Sequence, residues 1–510
     1  MALTNDRAWW AHFKSGTDIR GVALDGVEGE PLDLTDEAVE RMADAFARWL
    51  AARCQKPVNE LTVAVGRDSR LSGERLRDAV VRALVAAGVR VWDCGMASTP
   101  AMFMVTVKKA LDGAIQLTAS HHPSHRNGLK FFRPTGGLEG ADITAILNLA
   151  ADGPCAPAAA GGVCRPLAFM DEYAADLRAD IVRGVDAGEQ PLAGFHIVVD
   201  AGNGVGGFYA TQVLAPLGAD ITGSQFLDPD GRFPNHIPNP ENPDAMASVC
   251  AATVAAHADL GVIFDTDVDR AGLVDANGRE INRNRLIALA AAVVIASHPG
   301  ATIVTDSVTS DGLKTFIEQT LGGHHCRFKR GYRNVIDEAI RLCGEGIDAP
   351  LAIETSGHAA LRDNYFLDDG AYLVTRLIIE AARLKRQGKT LADRIAALPE
   401  PAEGVELRFA ITAPDFRAAG QAVLDALEQY AAAHGWHVAD DSREGVRVSF
   451  GKAEGDGWLL LRLSVHDPVL PLNIESNRTG GCRVIAQAFA PFIKAQPALD
   501  CRRFDAYLEG

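Results

Sequence analysis

The stretch TVAVGRDSRLSGERLRDAVVRALVAAGVRVWDCG, residues 62–95, decides the fold class. Its first five residues are short and mostly apolar, which suits a buried strand. From Gly73 onward, apolar residues recur at three- and four-residue spacing, the period of a helix packed on one face. Ser72 stands where an N-cap belongs, and Gly88 where a left-handed residue ends a helix. VRVWDCG, 89–95, then returns to strand character. A strand, a helix and a strand in so short a span predict parallel strands covered by helices.

The rhythm recurs at FHIVVDAGNGVGG (195–207), DLGVIFD (259–265), ATIVTD (301–306) and PLAIET (350–355). A chain of 510 residues is too long for one core. AADGPCAPAAAGGVCRP (150–166) and ALPEPAEG (397–404) lack periodicity and read as boundaries; the rhythm places a third near residue 282. The expectation is three mixed α/β domains, 1–160, 161–282 and 283–396, followed by a smaller α+β domain, 397–510. That last domain opens with the strand VELRFAIT and a helix from about Pro414 to His434. No strict repeat is present.

Composition excludes some functions. A formal net charge of −16 is wrong for general nucleic-acid binding, which needs a basic surface to displace counterions. Local arginine clusters still permit small anionic substrates. The 9 cysteines include no CxxC pair, against a zinc ribbon and in favour of reduced thiols in a cytosol. The N-terminal MALTNDRAWWAHFKSGTDIRG has no apolar core, so neither a secretory signal nor a membrane span is expected. The expectation is a cytoplasmic protein, monomeric or a small homo-oligomer, with no nucleic-acid or membrane partner.

Three short motifs carry chemistry. DTDVDR, 265–270, follows the apolar run LGVIF, so Asp265, Asp267 and Asp269 sit at a strand end. Three such carboxylates repel unless a cation neutralises them, and oxygen donors suit a hard ion such as Mg²⁺. An EF-hand fails, because Arg270 and Ala276 occupy its glycine and glutamate positions. TASHHPSHRNGLK, 118–130, places Ser120 at the end of the strand-like GAIQL. A polar surface loop and a functional hydroxyl both fit this pattern. A hydrolase with His121 or His122 as base lacks the G-x-S-x-G elbow. ETSGH, 354–358, brings Glu354, Ser356 and His358 onto one turn built on Gly357; a capped turn and a set of donors and acceptors for sugar hydroxyls both fit this pattern. Arg20, Lys130, Arg270, Lys329 and Arg462 lie in loop-like contexts and together could hold phosphates.

Taken in order, these motifs resemble the α-D-phosphohexomutase family, most closely its bacterial phosphomannomutase/phosphoglucomutase branch. SGTDIRG (15–21), VGRDSRLSG (65–73), STP (98–100), the serine loop, DTDVDR, ETSGH with DDG (368–370), and RLSVHDPVLPLNIE (462–475) span nearly the whole chain. The resemblance implies four domains around a central cleft. It implies that Ser120 carries a phosphoryl group and ligates one Mg²⁺ with Asp265, Asp267 and Asp269. Arg20, His121 and Lys130 match active-site positions. Arg270, Lys329, Glu354, Ser356, His358, Arg462 and Ser464 would bind the phosphosugar. The implied activity is phosphoryl transfer between the 1- and 6-positions of mannose and/or glucose phosphate, through a hexose 1,6-bisphosphate that also serves as activator. Phosphoglucosamine mutase is the alternative within the family; a phosphosugar-binding protein and a Ser-dependent phosphatase are those outside it.

The chain departs from the family pattern in places. His122 stands for the usual Asn, and Tyr332 where a histidine is common. Thr266 and Val268 replace glycines of the metal loop, so positions 266 and 268 are expected not to need positive φ. Val465, His466 and Asp467 replace small polar residues of the last loop, which leaves phosphate binding by Arg462 and Ser464 the weakest carry-over.

Overall fold

The computed structural model describes residues 5–154, 161–464 and 467–509. The chain forms two compact units, residues 1–282 with 356–393, and residues 283–355 with 394–510. The proline-rich boundary at 150–166 falls partly on 155–160, outside the described residues.

In the first unit, Thr62–Arg67 runs parallel to both Arg90–Met96 and Gly113–Leu117. The helix Gly73–Ala86 connects the first pair, and Gly88, at φ +90°, closes it. Ser72 occupies the N-cap position, but its hydroxyl accepts from Asn127 Nδ2 at 2.8 Å instead of capping the helix. The helix Asp36–Cys54 is capped, with Thr35 Oγ1 accepting from Ala38 N at 3.3 Å. Its Phe46 stacks on Phe131 of the sheet with ring centroids 4.7 Å apart. Burying such a ring is worth roughly 2–3 kcal/mol.

The parallel sheet expected from the rhythm holds from Gly113–Leu117 to the edge strand Val163–Pro166, which pairs parallel with Arg90–Met96, but not on the other side. Arg126–Arg133 pairs antiparallel with Gly113–Leu117, and Asp18–Val22 antiparallel with Arg126–Arg133. The cause is chain length. Only residues 118–125 separate the two strands, and a parallel return needs a dozen or more. The same constraint acts on the second sheet. Leu260–Phe264 is parallel to Ile197–Asp200, but residues 265–270 turn the chain straight back into the antiparallel Ala271–Asp275. The serine loop and the acidic loop are therefore both tight returns at the carboxyl end of a buried strand.

In the second unit, Thr302–Thr305 lies parallel to His324–Arg327 and to Leu351–Ile353. The C-terminal part is a six-stranded antiparallel sheet. Its strand Glu403–Ile411 alternates exposure residue by residue, as a one-sided sheet demands. Helices Phe416–Ala433 and Gly481–Lys494 bury Leu427, Ile485 and Phe489 against Leu459 and Leu472. Within this unit Asp441 accepts from Lys314 at 2.7 Å and Arg327 at 3.1 Å, tying the sheet to the parallel strands. Among the described residues, no helix is long and apolar enough to cross a membrane.

Candidate active site

The two tight returns of the first unit meet. Ser120 Oγ donates to Asp265 Oδ2 at 3.0 Å and accepts from Arg270 Nη2 at 3.0 Å. Ser120 has φ +47°, a left-handed backbone that costs a non-glycine residue about 1–2 kcal/mol. Lys130, on the strand leaving the serine loop, donates to Asp269 Oδ2 at 2.5 Å and Asp267 Oδ2 at 3.2 Å. Arg20, on the next strand, donates to Thr118 O at 3.0 Å and Asp18 Oδ2 at 2.7 Å, and feels the charges of Asp267 and Asp269.

Carboxylate oxygens of Asp265, Asp267 and Asp269 lie within 4.8 Å of one another, all three residues buried. Burial, then the charge of Asp269, pushes Asp265 well above the usual carboxylate range. Asp269 is held well below it: burial opposes, but Lys130 and His358 outweigh it. Asp267 Oδ1 and Asp269 Oδ1 are buried and accept no hydrogen bond. Two orphan anionic oxygens in an all-carboxylate cluster fit a hard divalent ion.

His121 Nδ1 lies 3.3 Å from Ser120 Oγ and accepts from Arg270 Nη2 at 2.7 Å. Although His121 is exposed overall, desolvation and then Arg270 push its pKa down to about 2, so the ring is neutral. His358 bonds Asp368 through Nδ1. Burial opposes its charge, yet Asp368 and Asp269 lift it to about 9, making it a cation beside the acidic loop. Gly357 allows the approach. At φ +93° a Cβ there would sit 2.7 Å from Ala271 O.

Lys329, Glu354, Arg462 and Ser464 belong to the second unit, so ETSGH is divided: Ser356 and His358 lie in the first. Glu354 Oε1 accepts from Gly331 N at 2.6 Å, just past the exposed Lys329. Arg330 N and Ser307 Oγ both donate to Glu444 Oε2, at 3.1 and 2.5 Å. Arg462 is 8% exposed, and its Nε donates no hydrogen bond. Ser464 Oγ accepts from Asp467 N at 3.2 Å. Val465 and His466 lie outside the described residues.

Models of phosphoglucomutase/phosphomannomutase α/β/α domains I, II and III match residues 15–152, 171–278 and 282–402. A phosphomannomutase/phosphoglucomutase of Pseudomonas putida is 31% identical, with 86% of this chain and 89% of that protein covered. A phosphoglucomutase of Neisseria gonorrhoeae is 30% identical, with 94% and 96% covered. The crystal structure of a phosphoglucomutase/phosphomannomutase family protein from Burkholderia thailandensis gives a TM-score of 0.77 at 29% identity, over 96% of this chain and 99% of that one.

The chain belongs to the phosphoglucomutase/phosphomannomutase family. It is an enzyme of the mutase class, with three α/β/α domains and a C-terminal domain built on a sheet, as the motif order implies. One expectation for the acidic loop needs correction. Val268 adopts φ +67°, whereas Thr266 has no positive φ. The loop is pinned from behind: Gly370 N donates to Val268 O at 3.1 Å, and a Cβ on Gly370 would lie 2.7 Å from Arg270 C. That packing and the complete burial of the Val268 side chain outweigh the residue's own preference.

Two partners of the loop were not singled out from the sequence. Thr99 donates through Oγ1 to Asp267 Oδ2 at 2.5 Å and through N to Asp267 O at 2.9 Å. Asp368 anchors His358. Both lie inside the motifs STP and DDG, so the signal was their place in a motif, without any chemistry legible in the residue itself.

Proposed function

We propose that this family member moves a phosphoryl group between O1 and O6 of a hexose phosphate, mannose and/or glucose, with Ser120 as the carrier. One observation carries the reading: the Ser120 hydroxyl bridges Asp265 and Arg270 beside two buried carboxylate oxygens that have no hydrogen-bond donor. The names of the curated relatives support the sugars.

In phosphoryl transfer, charge spreads over the three equatorial oxygens, so positioning and cations do the catalysis. Arg270, Lys130 and Arg20 surround the serine as that cation set. Mg²⁺ held by Asp265, Asp267, Asp269 and the Ser120 oxygen would supply charge against the leaving Oγ. The bond from phosphorus to Ser120 Oγ breaks as the bond to the sugar oxygen forms, and Oγ gains the proton that the sugar hydroxyl loses. The resulting 1,6-bisphosphate turns over and returns its other phosphate to Ser120. Lys329, Glu354, Ser356, His358, Arg462 and Ser464 hold the sugar phosphate while it turns. Domains 1–160, 161–282, 283–396 and 397–510 carry the serine, metal, sugar and phosphate loops respectively.

The test supplies Mg²⁺ with mannose, glucose or glucosamine 1-phosphate, each primed with its 1,6-bisphosphate, and follows the 6-phosphates by ³¹P NMR. Conversion of mannose or glucose phosphate is expected. Conversion of none overturns the reading, conversion of glucosamine phosphate alone moves it within the family, and release of inorganic phosphate points to a phosphatase.

A further inference from the structure

Arg70 touches neither the acidic loop nor a sugar-loop residue, yet it grips the serine loop more fully than any other side chain described. Its side chain is completely buried, 3.3 Å from the equally buried Asp68 carboxylate. Each terminal nitrogen donates to two backbone carbonyls. Nη1 reaches Pro123 O at 2.7 Å and Arg126 O at 2.9 Å; Nη2 reaches Ser120 O at 2.5 Å and His122 O at 2.6 Å. All four terminal N–H groups are thereby used on one turn of chain. The ring of Phe233 covers the guanidinium with its centroid 5.3 Å from Cζ. The backbone behind that ring is close as well: a Cβ on Gly231 would lie 2.4 Å from Leu71 N.

The consequence lies at Ser120. Its φ of +47° is unfavourable for serine and needs an external constraint. With the carbonyl of Ser120 drawn to Arg70, and its N–H donating to Thr118 Oγ1 at 2.9 Å, both peptide groups flanking the serine are fixed. That fixes the direction of the Cα–Cβ bond, hence where Oγ points. A rigid planar fork suits this work. A lysine ammonium offers three N–H groups from a single point and cannot span four carbonyls in the same arrangement.

We propose that Arg70 is a positioning residue for phosphoryl transfer: it bends the 120–126 turn so that Ser120 Oγ faces Asp265 and Arg270. This rests on the reading of Ser120 as carrier. Misplacing a reacting atom by about 1 Å costs on the order of 10²-fold in rate. Arg70→Lys should therefore lower kcat by about 10²-fold while KM for glucose 1-phosphate and mannose 1-phosphate stays near wild type; the unfolding midpoint should fall as well, because buried carbonyls lose a donor.

The experiment loads wild type and R70K with glucose 1,6-bisphosphate and Mg²⁺, maps Ser120 phosphorylation by mass spectrometry, and measures kcat and KM. A phosphorylated wild type alongside an R70K of unchanged kcat overturns the role of Arg70 alone. A shift of the unfolding midpoint without a fall in kcat shows a merely structural residue and overturns it too. A wild type that turns over without ever carrying phosphate on Ser120 overturns the carrier reading, and this inference with it. Should R70K fail to fold, a crystal structure of the phosphorylated wild type decides: four retained carbonyl bonds support the proposal, and their release overturns it.

Discussion

Two groups of buried cations in this molecule are treated in opposite ways. At the acidic loop, burial disfavours the charges of Lys130 and Arg270, but the surrounding aspartates more than restore them and both pKa values are raised. In the second unit, burial pushes Arg462 down and Glu444 offsets only part of the loss; Arg447 is lowered to about 10 despite Asp311 and Glu475. The first arrangement is saturated with anions, which keep Lys130 and Arg270 charged. The second is short of counter-charge, and Arg462 is buried with an Nε that donates no hydrogen bond. On the function proposed above, chemistry belongs to the preorganised corner and recognition of a phosphate to the undersaturated one.

The largest effect that this contrast predicts is at Ser120. Ser120→Ala should lower kcat by roughly 10³-fold or more while leaving sugar-phosphate binding measurable by calorimetry, because the carrier goes and the cations stay. Wild-type turnover in that variant removes the carrier from the scheme. Next in size is Asp267→Asn. Its Oδ2 keeps an acceptor for Thr99 and Lys130, but one anionic charge of the cluster is lost and an NH₂ group takes one of the two carboxylate positions. A fall in kcat of about 10²-fold is expected, together with a higher Mg²⁺ concentration for half-maximal rate. An unchanged Mg²⁺ requirement shows that the triplet is not the metal site.

The corner was legible in the sequence for one reason and partly hidden for another. Apolar runs ending in dense polar chemistry, GAIQL before TASHH and LGVIF before DTDVDR, mark strand ends where ligands bind in α/β sheets. Both loops were found that way. Their curvature was not. Neither serine nor valine favours a left-handed backbone, so φ at Ser120 and Val268 comes from distant contacts, the carbonyl grip of Arg70 and the approach of Gly370. Ser72 shows the same limit: a good capping residue whose hydroxyl is taken by Asn127 from another strand. Nor does spacing reveal that Glu354 and His358, four positions apart, belong to different compact units.

The undersaturated region gives smaller effects. Arg462→Met removes a charge-assisted contact worth about 1.5–3 kcal/mol, so KM for either sugar 1-phosphate should rise roughly 10–100-fold with kcat reduced less. Steady-state kinetics separates the two. A loss confined to kcat contradicts a binding role and erases the distinction drawn between the two regions.

The smallest effect concerns stability, and its sign tests whether that region truly lacks counter-charge. Burial pushes Glu475 up to about 7, with Arg447 and the Trp458 Nε1 hydrogen bond, 3.0 Å, offsetting only part of it. Its ordinary value is 4.5. Between those values the folded chain holds a proton that the unfolded chain has released, so this group's contribution to stability falls as pH rises through the window. Glu475→Gln keeps an acceptor for Trp458 and removes the penalty. Urea unfolding should find the variant more stable than wild type near about pH 8, by at most about 3 kcal/mol, with the gain gone near about pH 4.5. A variant less stable at the higher pH means that the Glu475 carboxylate is charged and bound to Arg447. The second unit would then be as well compensated as the acidic corner, and Arg462 would have no special claim on a substrate phosphate.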